Sequence, residues 1–406
     1  MIRWHALVVS SLIAGCASPR GGAEVRPGIE VVLSDSAHLI AGKRLGLLTN
    51  NTGVDHLGRR DADLLRSVRG GRLTVLFSPE HGFRGTEDRE GLPDGRDSAT
   101  GLPIYSLYGG SRSAARAALD SIDVLLIDLQ DIGARFYTYP ATAASLMRDA
   151  SRAGKRVIIL DRPNPVGGAA VQGNVRAQLA EPDSNLVGFL PVAMRHGMTL
   201  GELARMANDL MGLKLDLIVV PALGWRRSQF YNETGLPWIK PSPNMPSLES
   251  AVLYPGLCLF EGTNLSVGRG TPIAFQVLGA PWLDPAQLLG RLRSSAVPGV
   301  EVVDTTFTPL APTDGKYPGV ALHGIRMRVT DRERFDPVRF AVVVLAALRA
   351  THPDKFEFRA GHFDRLATGP DLRLAIEAER SPQEIWTAWD QELARFRERR
   401  AKYLIY

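Results

Sequence analysis

Short apolar runs, each ending in a polar cluster and followed by a stretch of helix-like composition, leave this chain few folds to choose from. They are residues 44–49 (RLGLLT), 73–77 (LTVLF), 123–129 (DVLLIDL) and 156–160 (RVIIL), with 215–220 (LDLIVV) as a fifth. Runs this short and this rich in Leu, Ile and Val read as strands buried on both faces. Between them residues 59–66, 111–119, 142–153 and 199–210 read as helices. Thr199, three residues before Glu202, supplies a capping box for the last. Strand and helix repeated in this order mean a parallel sheet covered on both sides. The expected fold is α/β, a doubly wound, mostly parallel sheet over residues 31–280 with a smaller C-terminal α+β domain over 281–406. In that smaller part residues 284–294, 337–350 and 382–400 read as helices. Ile385, Trp386, Trp389, Leu393 and Phe396 form one apolar side of the last, and residues 320–330 alternate like a strand.

Open α/β sheets bind ligands at the carboxyl ends of their strands. The second run empties there into Ser78-Pro79-Glu80-His81-Gly82. Glu80 is thus a carboxyl group beside a strand tip, next to an imidazole, with Gly82 and Gly85 permitting close approach. Asn50, Gln130, Asp131 and Asp161 are the polar residues at the other strand ends. Arg135 follows in DIGARFYTY, where a guanidinium suited to a carboxylate stands beside Tyr137, whose flat face and hydroxyl suit a sugar ring. His196 precedes a helix start, where a capping region is the simpler reading. Residues 238–282 form an irregular, proline- and glycine-rich stretch in which Glu261 and Arg269 sit on flexed loops, as functional loops do.

Several classes are excluded. The loop after the first run, NNTGVDHLG, lacks the G-x-G-x-x-G spacing of a dinucleotide site, and no G-x-x-x-x-G-K-[ST] occurs. Two cysteines and eight histidines make no close Cys/His pairing, so no metal and no cofactor are expected. The net charge of +5 is unclustered until the C-terminal arginines and lysine, and no interleaving of aromatic and basic residues points to nucleic acid.

The chain opens MIRWHALVVSSLIAGC, a charged start, an apolar core too short to span a bilayer, and a small pair before Cys16. This resembles a bacterial lipoprotein signal over residues 1–15, which implies export, cleavage before Cys16, and membrane attachment through a lipid on Cys16. Ala17 rather than Asp at the next position favours the outer membrane, with the protein on the periplasmic face. Residues 16–30, small and Gly/Pro-rich, read as a flexible tether. Cys258, left without an intrachain partner, reads as buried and inert.

The blocks GLLTNNTGVD, FSPEHGFRG, LPIYSLYG, DLQDIGARFYTY, DRPNPVGG, HGMTLGELA, PSPNMPSLESAVLYPG, FEGTNLSVGRGT and RFRERRAKYLIY resemble, in order and over nearly the whole mature chain, the NamZ-type exo-β-N-acetylmuramidases. The resemblance implies a Rossmann-like domain and a smaller C-terminal domain. It also implies an exo-acting hydrolase that removes N-acetylmuramic acid from the non-reducing end of peptidoglycan fragments, with Glu80 of the Pro-Glu-His-Gly block as the catalytic residue.

Glycoside hydrolysis needs an acid for the leaving oxygen and a second group that steadies the oxocarbenium-like transition state or activates water. Glu80 is the candidate acid or base and His81 its partner. Asp128, Asp131, Asp161 and Glu261 are candidates for the second group. The lactyl carboxylate of muramic acid calls for a cation, for which Arg135 and Arg269 are the candidates. Asn51, Asn244 and Asn264, with Gln130, suit the acetamido and hydroxyl groups. Two rival readings use the same cleft: a non-catalytic lipoprotein that binds cell-wall fragments, and an esterase or amidase, which the lack of a G-x-S-x-G elbow disfavours.

Overall fold

The computed structural model describes residues 24–406 apart from 69, 90, 294 and 296. The signal-like segment and Cys16 lie outside the described residues. In the first lobe the strands are β1 (Arg44–Thr49), β2 (Arg72–Ser78), β3 (Gly95–Arg96), β4 (Pro103–Ser106), β5 (Val124–Asp128), β6 (Arg156–Leu160), β7 (Gln172–Val175), β8 (Ala193–Arg195) and β9 (Leu217–Val220). Seven of them form one sheet in the order β3-β4-β2-β1-β5-β6-β9, parallel except for β3. From β1 the chain steps outward to β2 and β4, then returns to β5 on the other side of β1. The loops after β1 and β5 therefore part at the carboxyl edge and open a crevice beside the tip of β2.

Alternation along each strand explains the two covered faces. Val75, Phe77, Leu125, Ile127, Val157 and Ile159 pack into one apolar cluster, while Leu76, Leu126, Ile158 and Leu160 pack into another, joined by Leu73 because the register of β2 against β1 shifts at Thr74. The helices covering these faces are α1 (Gly28–Leu33), α2 (Asp61–Ser67), α3 (Arg112–Leu119), α4 (Tyr139–Arg152) and α5 (Leu200–Leu210). The capping box of α5 forms, with Thr199 and Glu202 each bonding the other's backbone.

The smaller lobe comprises α6 (Leu248–Leu257), β10 (Val277–Ala280), α7 (Pro285–Arg293), β11 (Val300–Phe307), β12 (Leu322–Val329), α8 (Pro337–Thr351), α9 (Ala360–Ala367), α10 (Asp371–Glu377), α11 (Pro382–Thr387) and α12 (Asp390–Ala401). Its sheet is antiparallel in the order β10-β12-β11. Leu253, Leu257, Leu278, Ile325, Phe340 and Leu345 join the same apolar cluster as one face of the large sheet, so a continuous core ties the lobes.

Four expectations need correction. The smaller lobe begins at α6 and not at residue 281, because α6 packs against α8 and β10 pairs with β12. The tether does not extend to residue 30: Val25 is buried, Arg26 bridges to Leu223, and Gly28 opens α1. Residues 382–400 are two helices that break at Ala388 and Trp389. Ile385 belongs to the central core, whereas Leu393 and Phe396 fill a separate cluster beside α5, and one straight axis cannot serve both. The stretch expected to be irregular contains α6, capped by Ser247 and carrying Pro255 internally, because every residue from Ser250 to Leu257 is buried and packing overrides propensity. The C-terminal arginines also divide. Arg395 pairs with Glu392 in solvent, while Arg399 and Arg400 donate to carbonyls of Pro191 and Gly197 and pin α12 to the first lobe.

Candidate active site

The loop leaving β2 turns sharply through Pro79 to Gly85, with Gly82 N–H bonded to Pro79 O and Gly85 N–H to Gly82 O. His81 adopts φ 68°, a left-handed conformation that a residue with a β-carbon holds only where its surroundings insist. The Nδ1–H of His81 donates to Glu87 O at 2.7 Å, since a carbonyl can only accept, and this anchors the imidazole in place. Glu80, half-buried, is thereby turned toward the first turn of α4. There the Thr138 hydroxyl donates to Glu80 Oε2 at 2.6 Å. Thr138 occupies the N-cap position yet makes no capping bond, its hydroxyl being committed to the carboxylate.

Above this strand tip lies a cleft between the lobes. An inner chamber of about 240 Å³ is bounded by Glu80, His81, Asp88, Tyr137, Thr138 and Ser242 from the first lobe side and by Asn244, Tyr254, Cys258, Glu261, Arg269, Phe275 and His362 opposite. It opens into an outer chamber of about 440 Å³, and the two share Glu80, Asp88, Glu261, Arg269 and His362. The inner wall is aromatic: Tyr137 meets Tyr139 edge-on at 4.7 Å between ring centres, and Tyr254 meets Phe275 likewise at 4.7 Å.

The carboxylates lining the inner chamber differ in how fully they are engaged. Glu261 pairs with Arg269 through Oε1, and Oε2 accepts the Cys258 thiol at 3.5 Å. Burial would raise the Glu261 carboxyl, but the charge and hydrogen bond of Arg269, with Lys316 nearby, outweigh it and hold Glu261 below the usual carboxylate range. Lys316 donates to the carbonyls of Phe260, Glu261 and Leu265 at 3.2, 3.0 and 2.7 Å, bracing the turn that carries Glu261, and burial lowers its own ammonium to about 8. Asp88 accepts from Asn244 Nδ2 and from Thr313 Oγ1 and lies 3.7 Å from Arg269. Glu80 alone among these three has a single hydrogen-bond donor among the described residues, Thr138, which leaves Oε1 for a ligand.

Of the residues expected at the site, the fold thus brings Glu80, His81, Tyr137, Asn244, Glu261 and Arg269 together. The others serve the scaffold. Asp128, fully buried at the end of β5, receives the Arg162 guanidinium. Gln130 donates to the carbonyls of Asp131 and Pro163 at 2.7 and 2.9 Å. Arg135 is buried and donates to Asn174 O, Val192 O, Asn174 Oδ1 and Leu366 O, and burial lowers its guanidinium to about 9. Asn51 donates to Lys240 O at 2.9 Å and fills the space beside Gly85. Asn264 clasps Lys355 O and Glu357 N–H. Among the other candidate second groups, Asp131 accepts from Gly133 N–H beside His196, and Asp161 accepts from Thr199, Gly201 and Tyr406. Both are buried away from the cleft. Sequence reasoning missed Asp88, Thr138 and Tyr254. Only Thr138 had a local signal, its place just before a helix.

Fold and cleft define a two-lobed α/β protein that offers one lightly engaged carboxyl group to a ligand at the edge of its sheet. The family model described as "Exo-beta-N-acetylmuramidase NamZ, N-terminal" matches residues 45–249, and "Exo-beta-N-acetylmuramidase NamZ, C-terminal" matches residues 252–406. The chain belongs to the NamZ exo-β-N-acetylmuramidase family. It is 39% identical over 386 residues, 94% of this chain and 92% of the other, to the peptidoglycan β-N-acetylmuramidase NamZ of Bacillus subtilis (strain 168). Two crystal structures of DUF1343 family proteins from Bacteroides fragilis are similar in fold, each at 32% identity. One superposes with a TM-score of 0.85 over 96% of this chain and 100% of that one, the other with 0.74 over 95% and 99%.

Proposed function

We propose that this chain is a glycosidase that removes N-acetylmuramic acid from the non-reducing end of peptidoglycan-derived fragments, with Glu80 as its general acid/base. The observation that carries this reading is the lightly engaged Glu80 carboxyl at the tip of β2, in a cleft with an aromatic wall. A terminal sugar seated in the inner chamber presents its glycosidic oxygen to Glu80 Oε1. Proton transfer to that oxygen breaks its bond to the anomeric carbon and releases the remainder of the fragment through the outer chamber, while water adds to the anomeric carbon and gives its proton to a carboxylate of the cleft. Glu261, kept ionised by Arg269, supplies negative charge to the oxocarbenium-like transition state, so two carboxyl groups of the cleft take different roles through different surroundings. His81, braced on Glu87 O, holds the loop that presents Glu80.

The test is release of muramic acid from a chromogenic muramide by wild type and Glu80→Gln, with a glucosaminide and an ester in parallel. Turnover of the muramide that falls by about 10²–10⁴-fold in the variant is the expected result. Unchanged turnover in Glu80→Gln removes Glu80 from the chemistry, and a wild type that binds but never turns over is a binding protein. The same reading includes export and a lipid on Cys16 facing the periplasm, for which mass spectrometry of protein from the membrane fraction is the check; an unmodified Cys16 rejects it.

A further inference from the structure

We propose that Arg359, seconded by His362, reads a carboxylate of the substrate at the mouth of the cleft and so sets a preference for an acidic sugar; this rests on the muramidase reading above. The inner chamber, at about 240 Å³, is smaller than the roughly 300–1,000 Å³ of ordinary ligand pockets, so substituents of a sugar held there extend into the outer chamber. Glu80, Asp88, Glu261 and Asp314 line that space, and an acidic ligand entering it meets repulsion unless a cation is free to receive it.

The guanidinium groups of the outer chamber are not equally free. Arg89 pairs with Glu87 at 2.9 Å. Arg269 is committed to Glu261 and Asp88, with its face over Phe275 at 5.6 Å. Arg359 lines the chamber, is exposed, and has no carboxylate partner among the described residues. Its backbone N–H bonds Gly262 O at 2.8 Å at the start of α9, which fixes the root of the side chain beside the turn carrying Glu261. His362, on the next turn of the chain, lines both chambers; burial and the neighbouring cations Arg365, Lys316 and Arg359 hold its imidazole below the usual range, so near neutrality it is an uncharged donor. A guanidinium fork with one imidazole N–H matches the two oxygens of a carboxylate.

That carboxylate has two possible sources, the lactyl group of a free muramoyl residue or the end of a peptide attached to it. The experiment is calorimetric titration of wild type, Arg359→Met and Arg359→Lys with N-acetylmuramic acid, its methyl ester, an N-acetylmuramoyl dipeptide and N-acetylglucosamine. The expected result is that wild type binds an acidic ligand about tenfold or more tighter than the ester, that Arg359→Met erases the difference, and that Arg359→Lys restores part of it. Loss confined to the free acid assigns the lactyl group, and loss confined to the dipeptide assigns the peptide end. Arg359→Met binding both acidic ligands as tightly as wild type overturns the inference. Muramide turnover that continues without dependence on Arg359 sinks this inference alone, whereas Arg359-dependent binding without turnover sinks the muramidase reading alone.

Discussion

The Thr138 hydroxyl donates to Glu80 Oε2 at 2.6 Å, joining the loop after β2 to the first turn of α4 across the parted strands of the sheet. This bond sets where the second oxygen of Glu80 points, and the positive end of a fourteen-residue helix lies behind it. Replacing Thr138 by Val keeps the shape and removes the donor. Turnover is expected to fall about tenfold with little change in KM, because one hydrogen bond contributes about 0.5–1.5 kcal/mol and about 1.4 kcal/mol is a factor of ten in rate. Steady-state kinetics on a muramide check this, and a change in KM alone would count against a role in orienting Glu80.

Gly85 allows the loop to close. It has φ +67°, and a β-carbon there collides with the amide of Asn51. Gly85→Ala should destabilise the fold by about 1–3 kcal/mol and lower turnover with it, since the displaced loop carries Glu80. Denaturant unfolding together with activity at a permissive temperature checks both effects. A variant of wild-type stability shows that the loop can relax without cost.

Arg135 is expected to matter for stability and not for recognition. It joins Asn174 and Val192 to Leu366 in the smaller lobe, and its removal leaves buried carbonyls without donors. Arg135→Met should cost about 3 kcal/mol or more, while the ratio of affinities for acidic and neutral sugars stays as in wild type. A selective loss of acidic ligands, measured by titration, would restore Arg135 to the site.

Burial raises the Asp161 carboxyl to about 7, against hydrogen bonds from Thr199, Gly201 and Tyr406. The folded protein therefore holds this proton more tightly than the unfolded chain, whose carboxyl titrates near about 3.9. The stabilisation is complete below that value and is lost as pH rises toward about 7. Asp161→Asn should remove this slope. The stability difference between wild type and variant, measured from about pH 4 to 8, is expected to move in the variant's favour by a few kcal/mol. Parallel curves would show that Asp161 stays ionised inside the fold.

Much of the large lobe was legible because its signals are local. A strand buried on both faces needs a short unbroken apolar run, and β1, β2, β5, β6 and β9 each carry one. Thr199 and Glu202 announce the start of α5 within a single turn. The smaller lobe was less legible: β10 pairs with β12 across residues 281–321 and β11 with β12 across residues 308–321, and pairing over such connections leaves no short-range mark. The break between α11 and α12 was hidden for a similar reason, since two separate cores claim one amphipathic stripe.

The site divides along the same line. The sequence by itself determined that a carboxyl and an imidazole stand at the tip of a buried strand, because strand periodicity and a terminating Pro-Glu-His-Gly turn are properties of neighbouring residues. Only the tertiary structure decided which polar residues face the ligand. Arg135 and Asp128 carry the same chemistry as Arg269 and Glu261, but the first pair is enclosed by carbonyls and an opposing guanidinium while the second lines the cleft. Residue type sets what a group can bind, and its surroundings determine whether another part of the chain has already bound it.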